Sequence, residues 1–263
     1  MSRDADLAVY PLRHRSVRRY HPEPIPDDVL ERVLTAGLRA SSSGNMQTWS
    51  VVVTRDRALR ERLLEPHMGQ DMVLEAPALL TFCADFHRMR RWLALSGAEV
   101  HFDDPFSFMV AAIDATIASQ NVALAAEAEG LGICYLGSTL ANCDRIGVIL
   151  ELPEHVVPVV GMVMGTPAED PPLRDRLPLS ALVHHETYRT PDDDAVRAAY
   201  HERERAGWER YMAIPELRER VEASGVANLA QLYTQVKYTR ADHARFSEQL
   251  LGSLRRQGFW PAG

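Results

Sequence analysis

The sequence is poor in the features that mark secreted, membrane-spanning or disulfide-bonded proteins. Its 263 residues include only three cysteines, Cys83, Cys134 and Cys143, which are odd in number and lack paired spacing. This pattern predicts free thiols in a reducing cytoplasm. No run of 18 or more uncharged apolar residues is present, and the N-terminal stretch lacks the apolar core of a signal peptide. No membrane span is therefore expected.

Motifs of several common enzyme classes are absent as well. No Gly-x-Gly-x-x-Gly follows a strand-like run, no Walker loop is found, and no serine lies in a Gly-x-Ser-x-Gly elbow. These absences argue against a Rossmann dinucleotide site, a P-loop site and acyl transfer by serine. The neighbours His184, His185 and Glu186 have no second ligand pair at a fixed spacing. A surface histidine pair is expected there, and no metal site.

The sequence has fewer basic than acidic residues, 29 against 36, and its formal net charge is −7. Nucleic-acid binding is not expected, because phosphate neutralisation needs a positive field. One segment, residues 13–20 (RHRSVRRY), departs from this balance with four arginines, a histidine and a serine. On a helical turn Arg15 and Arg18 would share a face and could close on one anion. A solvated basic turn is the commoner outcome for such a cluster.

The hydrophobic pattern interleaves helices and strands without a regular βαβ repeat. Helices are predicted over residues 6–17, 27–38, 57–64, 86–93, 108–129 and 144–150, and strands over residues 50–54, 77–84, 133–137 and 156–165. The chain from residue 192 onward is charged and mostly helical, with breaks at Pro215 and Gly225. These elements predict one α+β domain over residues 1–190 and a helical C-terminal extension over residues 191–263.

The longest apolar stretch, residues 108–129, is rich in alanine and interrupted by few polar residues, among them Asp114. A helix that is apolar on nearly every side is expected at the centre of a domain or at an interface. Small alanine side chains permit close helix packing in both places. The sequence leaves the two locations about equally open.

Four stretches, taken in order, are the basis of a resemblance to a known family. They are residues 14–18 (HRSVR), 41–49 (SSSGNMQTW), 135–137 (YLG) and 174–176 (RDR). The ordered set resembles the flavin-dependent nitroreductase family, above all its oxygen-insensitive NADPH nitroreductase and flavin reductase branch. The resemblance covers about residues 8–190. It implies an α+β fold with a central, mainly antiparallel sheet flanked by helices, and an intertwined homodimer.

The resemblance also implies a bound FMN and assigns its contacts. Contacts at or near the phosphate are assigned to His14, Arg15, Ser16, Arg174 and Arg176. Contacts with the ribityl chain and the isoalloxazine ring are assigned to Arg18, Gln70, Tyr135, Leu136, Gly137 and Ser138. Ser42 and Ser43 would reach the site from the second subunit. Arg18 would lie near the N1/O2 edge, where positive charge favours the reduced flavin.

The activity implied by the resemblance is that of an FMN-dependent NAD(P)H oxidoreductase. Hydride would pass from NADPH or NADH to flavin N5, and then in ping-pong fashion to a small planar acceptor such as a nitroaromatic, a quinone or free flavin. No side chain need act as a nucleophile in this chemistry. The absence of a nucleophile motif agrees with that expectation.

The C-terminal region departs from the pattern of NADPH-using relatives, because the candidate basic loop is reduced to residues 237–240 (KYTR). Lys237 and Arg240 are the candidates for binding the NADPH phosphate, with solvated charges on an amphipathic helix as the alternative. The short loop also motivates an alternative function. This is a flavin carrier or partner-binding module of the same fold without nicotinamide-dependent reductase activity.

Overall fold

A computed structural model describes residues 10–260, and the described chain divides into two compact units. The first unit is Met1–Pro172 with Phe246–Gly263, and the second is Leu173–Arg245. The sequence-based boundary at residue 190 falls inside the second unit, and a separate C-terminal extension stays a prediction. The N-terminal part of the helix expected over residues 6–17 lies outside the described residues.

The first unit carries a sheet and most of its covering helices. Its elements are α1 (Tyr10–Arg13), α2 (Asp27–Leu38), β1 (Trp49–Thr54), α3 (Arg57–Leu64), α4 (Met72–Glu75), β2 (Ala78–Asp85), α5 (His87–Leu95), α6 (Pro105–Ala128), β3 (Gly132–Leu136), α7 (Ser138–Ala141), α8 (Cys143–Ile149) and β4 (Val156–Gly165). The strands lie in the order β1-β2-β4-β3, and every neighbouring pair is antiparallel. This arrangement confirms the predicted α+β class with a mainly antiparallel sheet.

Alternate residues of the two central strands face two different helix layers, as the twofold repeat of a strand requires. On one face Leu80 and Phe82 join the core formed with α2 and α6. On the other face Leu79 and Val163 pack with Leu63 and with residues of α4 and α8. The sheet is therefore covered on both sides, which explains why β2 is buried along its whole length.

Helix α6 has apolar residues on both of its sides. One side is buried in the core and carries small residues such as Ala111, Ala115 and Ala118. Among the described residues α6 is also the one helix whose length and composition would suffice to cross a membrane, a property shared by core helices of globular domains. Its other side exposes a row of large apolar residues, Phe106, Met109, Ile113 and Ile117.

The second unit is helical. Its elements are α9 (Asp193–Met212), α10 (Pro215–Ser224), α11 (Leu229–Leu232), a π-helical turn (Tyr233–Lys237) and the start of α12 (Arg240–Arg256). Both predicted breaks are confirmed, since Pro215 is the first residue of α10 and Gly225 ends that helix with a φ of 71°. Leu217, Val221 and Leu232 lie in the core of this unit.

Candidate functional site

The chain after α1 runs extended beside β3, which differs from the predicted helical turn. Val17 N–H donates to the Ile133 carbonyl at 2.9 Å. The approach is close because Gly132 has no side chain, and a Cβ there would lie 2.8 Å from Val17 Cγ2. The prediction that a helical turn places Arg15 and Arg18 on one face is therefore wrong. Backbone pairing with β3 outweighs the local helix preference of this segment.

Arg15 is half-buried and keeps one donor group without a partner. Its Nη1 lies 3.0 Å from Oδ1 of Asp170, whose side chain is 85% exposed. Its Nε is buried and has no hydrogen-bond partner within residues 10–260. Buried donors in folded proteins are nearly always paired, so this N–H marks a place where an external acceptor would be stabilised.

Glu169 binds the backbone of the same basic segment. Its Oε1 accepts from the N–H of Arg18 at 2.5 Å and from that of Arg19 at 3.1 Å. The guanidinium of Arg18 is exposed and donates to the carbonyl of half-buried Ser16 at 3.1 Å. Two acidic side chains, Glu169 and Asp170, thus lie against the arginines, an arrangement that sequence reasoning missed.

His14 has a partner away from these arginines. Its Nδ1 lies 2.6 Å from Oε1 of Glu127, which belongs to the last turn of α6. The contact fastens the start of the basic segment to α6. A position of His14 near a phosphate stays a prediction.

A cavity of about 360 Å³ brings two of the assigned flavin contacts together. It is lined by Arg18, Arg19, Gln70, Asp71, Met72 and Glu169. Arg18 and Gln70 are 52 positions apart in sequence, so only the fold unites them. The lining residues of the cavity include two arginines, one glutamine and two acidic residues.

Gln70 belongs to a buried hydrogen-bond group centred on His67. The carboxamide Nε2 donates to the His67 carbonyl at 2.9 Å and to Ser138 Oγ at 3.2 Å. Nδ1 of His67 lies 3.0 Å from the same Ser138 Oγ. The His67 ring is fully buried, and burial lowers its pKa to about 4, so the imidazole is neutral near pH 7. Ser138 and Gln70, both assigned to the flavin, are therefore linked through His67.

The turn from β3 into α7 presents an open surface. Leu136 is buried, while Gly137 is exposed and a Cβ there would meet nothing within 4 Å. The hydroxyl of Tyr135 lies 3.2 Å from Ser119 Oγ, and burial raises the pKa of this tyrosine. A contact between the Gly137 backbone and a flavin ring stays a prediction.

Asp114 of α6 holds the polar turn that contains Ser42 and Ser43. Its two carboxylate oxygens accept from Ser43 N–H and from Thr48 Oγ1, each at 3.0 Å, and the residue is 1% exposed. Asn45 and Gln47 in this turn have positive φ angles of 54° and 52°. Such angles cost free energy in residues other than glycine, so the turn is strained. The hydrogen bonds from Ser43 and Thr48 to the buried Asp114 stabilise it in this conformation.

In the second unit Asp175 fixes the backbone between Arg174 and Arg176. Its carboxylate is almost buried and pairs with Arg203 at 2.8 Å and with Arg210 at 3.4 Å. Burial alone would raise the pKa of Asp175, but the hydrogen bond and charge of Arg203, aided by Arg210, lower it. Arg174 and Arg176 are exposed on either side of this anchor.

Lys237 is engaged by tyrosines within the second unit. Its ammonium donates to the Tyr211 hydroxyl at 3.0 Å, and lies 4.3 Å from the centre of that ring and 5.3 Å from the centre of the Tyr238 ring. Arg240 is exposed at the first position of α12. A phosphate contact by either residue stays a prediction. In the part of the chain that the structure describes, no group of three or more His, Cys, Asp or Glu side chains is arranged to hold a metal ion.

Sequence reasoning missed the residues that support the assigned contacts. His67 carries no motif, and its partner Ser138 is 71 positions away. Asp114 did give a signal, because one carboxylate in an apolar helix must find partners if it is buried. The acidic pair Glu169 and Asp170 gave none, since adjacent carboxylates are ordinary in an acidic chain.

Comparison with known proteins identifies relatives along most of the chain. The sequence matches the nitroreductase family over residues 12–166. It is 35% identical over 189 residues to the oxygen-insensitive NADPH nitroreductase of Salmonella typhimurium, covering 72% of this chain and 77% of that protein. A solved structure of a Bacteroides fragilis oxidoreductase has a TM-score of 0.87 at 38% identity, covering 96% of this chain and 99% of that one.

A second solved structure extends the likeness to a named flavin enzyme. The NADPH:FMN oxidoreductase of Vibrio harveyi, determined with NAD+, has a TM-score of 0.76 at 26% identity, covering 98% of this chain and all of that one. These matches agree with the fold described above, in which helices flank an antiparallel sheet. The protein is a member of the nitroreductase family.

Proposed function

We propose that the protein is an FMN-dependent NAD(P)H oxidoreductase. The observation that carries this proposal is the cavity that Arg18 and Gln70 line together. A guanidinium and a carboxamide in one space suit the hydrogen-bonding pyrimidine edge of a flavin ring, to which Arg18 and Gln70 are both assigned. The Salmonella and Vibrio relatives, named for NADPH nitroreductase and NADPH:FMN oxidoreductase activity, support the same assignment.

The donors of the first unit fit a flavin phosphate. Arg15 offers a buried Nε–H that lacks a partner among the described residues, and Ser16 adjoins it with a neutral hydroxyl. When bound, the flavin would supply the atom that takes hydride from the nicotinamide and passes it to the acceptor. The chain itself would bind and orient: Arg15, Ser16 and His14 toward the phosphate, and Arg18 toward the ring edge, where its charge favours reduction.

The remaining cofactor contacts are proposed on the resemblance. Arg174 and Arg176 belong to the second unit. Their proposed contacts with the phosphate are tested by substituting these arginines separately from those of the first unit. The backbone of residues 135–138 would lie along the ring, supported by the open space at Gly137. NADPH is the favoured hydride donor over NADH because of the relatives' names, with Lys237 and Arg240 proposed for its phosphate.

We also propose a homodimer that uses the exposed row on α6. Phe106 is 77% exposed and Ile113 is 51% exposed, which is unusual for large apolar residues in one continuous row. A second copy covering this row would bury it, and Ser42 and Ser43 would then contribute to the flavin site of the other subunit.

The cysteines support a reducing compartment such as the cytoplasm, because all three are buried and unpaired.

The decisive experiment is an absorbance spectrum of the purified protein before and after NADPH is added without oxygen. Flavin bands that bleach within seconds are expected. Reoxidation by a nitroaromatic, a quinone or free flavin would then identify the class of acceptor. A colourless protein that takes up no added FMN would refute the proposal.

Arginine substitutions test the phosphate contacts. Arg15→Ala and Arg176→Ala should each raise the FMN dissociation constant about tenfold or more, since each would remove a charge-assisted hydrogen bond. Arg13→Ala is the matched control, because Arg13 is exposed at the end of α1 in the same basic segment. Unchanged affinity in both test variants would remove the phosphate assignment.

A flavin carrier is the second candidate function, and the state of Lys237 favours it. Its ammonium is already used by Tyr211, which weakens the case for an NADPH phosphate contact. A carrier would show flavin bands that survive both NADPH and NADH. Rapid bleaching by either nicotinamide would exclude it.

A further inference from the structure

His67 lies beneath the residues assigned to the flavin ring and has no role in the proposed phosphate contacts. It follows α3 in a turn where Met68 and Gly69 both have positive φ angles, of 58° and 65°. The turn is held against the junction of α7 and α8, because Asn142 Nδ2 donates to the Pro66 carbonyl at 2.8 Å. The ring of His67 is thus held between this turn and the sheet.

Space for the ring depends on a glycine in β4. A Cβ at Gly161 would lie 3.5 Å from Cε1 of His67 and would overlap Oγ1 of Thr139. The lack of a side chain at Gly161 lets α7 and the imidazole pack directly against the strand. The ring is therefore confined by its packing, and its Nδ1 is directed to Ser138.

The hydrogen bonds fix the orientation of the Gln70 carboxamide. Its nitrogen donates to the His67 carbonyl and to Ser138 Oγ, so both N–H bonds are used. The flipped amide would set its oxygen against the His67 carbonyl, where neither atom can donate. Oε1 of Gln70 is consequently the atom that remains for a ligand, and it can only accept.

The role of Ser138 depends on which nitrogen of the imidazole carries the hydrogen. Ser138 Oγ accepts from Gln70, and its own hydrogen is then available to His67 Nδ1. In the form with the ring hydrogen on Nε2, Nδ1 accepts this hydrogen and Ser138 can only accept from Gln70. In the other form Nδ1–H donates to the same oxygen and the serine hydrogen is left over. In the first form Nε2–H is a buried donor without a hydrogen-bond partner among residues 10–260, and this form is the one in which the imidazole holds Ser138 as an acceptor for Gln70.

We propose that His67 is a positioning residue that presents the side-chain carbonyl of Gln70, and not its N–H₂ group, to the N3–H of the flavin pyrimidine ring. This inference rests on the proposed function, because FMN must be the ligand. His67 would act through Gln70 and Ser138 and would touch no reacting atom. A planar ligand lacking an N–H at this position would lose the contact.

The flavin-dependent test compares FMN with 3-methyl-FMN, in which the N3–H is replaced. Wild-type protein should prefer FMN about tenfold in its dissociation constant, as expected for one lost hydrogen bond with a buried partner. His67→Leu removes the imidazole but keeps the backbone carbonyl that accepts from Gln70, so the preference should fall from about tenfold to about threefold. His67→Asn offers an acceptor near the Nδ1 position and should restore most of it. Ser138→Ala removes only the hydroxyl that links His67 to Gln70. It should lower the preference for FMN in the same way, and it replaces His67→Leu in the test if that variant does not fold.

A preference that is unchanged in both His67→Leu and Ser138→Ala would overturn the role of His67 while leaving the proposed function intact. If wild-type protein binds neither flavin, the proposed function fails and the positioning role fails with it. Nitrogen-15 NMR of the full chain reports the position of the ring hydrogen without a bound flavin. A neutral ring with its hydrogen on Nε2 is expected at pH 7, and a hydrogen on Nδ1 would contradict the proposal.

Discussion

Acidification should destabilise the fold through His67, in a way that needs no cofactor. Burial holds the pKa of this imidazole at about 4, against 6.5 in an exposed histidine. Between these values the unfolded chain binds a proton that the folded chain does not. The free energy of unfolding therefore has its full value above about pH 6.5 and falls as the pH is lowered toward 4.

The size of the effect follows from the two pKa values. A difference between 6.5 and about 4 corresponds to about 3 kcal/mol once the pH lies below both. At pH 5 the unfolded histidine is almost fully protonated and the folded one is not, so about 2 kcal/mol of this is already lost. For a domain whose stability is typically about 5–15 kcal/mol, such a loss is easily measured.

The assay is urea unfolding at pH 7 and pH 5 for wild-type protein and for His67→Asn, which cannot titrate in this range. Wild type should lose about 2 kcal/mol more than the variant between the two pH values. His21→Asn is the matched control, because His21 is exposed, and its pH dependence should follow wild type. Equal pH dependence in wild type and His67→Asn would refute the claim that a neutral imidazole is buried at this position.

Three carboxylates give further predictions. Asp114→Ala should lower the free energy of unfolding by about 3 kcal/mol, because two hydrogen bonds to a buried carboxyl group are lost. Thr48→Val removes one of these hydrogen bonds and should lower the free energy of unfolding about half as much in the same urea assay. Asp170→Asn removes the ion pair with Arg15 and should tighten FMN binding about threefold at low salt. The gain in affinity should shrink as salt is added. A fluorescence titration that shows no gain would contradict this prediction. Asp175→Asn should speed amide hydrogen exchange in α9, since Arg203 loses its partner, and unchanged exchange would argue against an anchoring role.

Local patterns in the sequence predicted most of the first unit's elements. The apolar period of α2 and the β-branched run of β1 needed no distant information, and the proline and glycine at positions 215 and 225 marked real helix ends. The resemblance to the nitroreductase family was likewise carried by short ordered stretches, and the family match confirms it. The four-residue helices α4 and α7 were missed because so short a segment shows no period.

What the sequence could not supply depends on contacts between distant residues. The segment at Val17 was predicted helical because its neighbours favour a helix, whereas its actual conformation is decided by a strand more than a hundred positions away. His67 meets Ser138, and Asp114 meets Ser43, across 71 positions in each case. The pairing follows from the sheet and helix packing, which no local window contains. The assigned flavin contacts stay predictions until a ligand is bound.

The tyrosine contacts of Lys237 have a practical consequence, because this residue is the sole lysine in the 263-residue sequence. Amine-directed acylating reagents therefore have a single side-chain target in this protein. Lys237 is half-buried, and its ammonium lies near the rings of Tyr211 and Tyr238, so we expect its acylation to be slower than that of an exposed lysine. The rate of acylation at Lys237 would report how open its tyrosine contacts are, without any engineered label, and the side-chain adduct would place a dye or a surface tether at a defined position in the second unit.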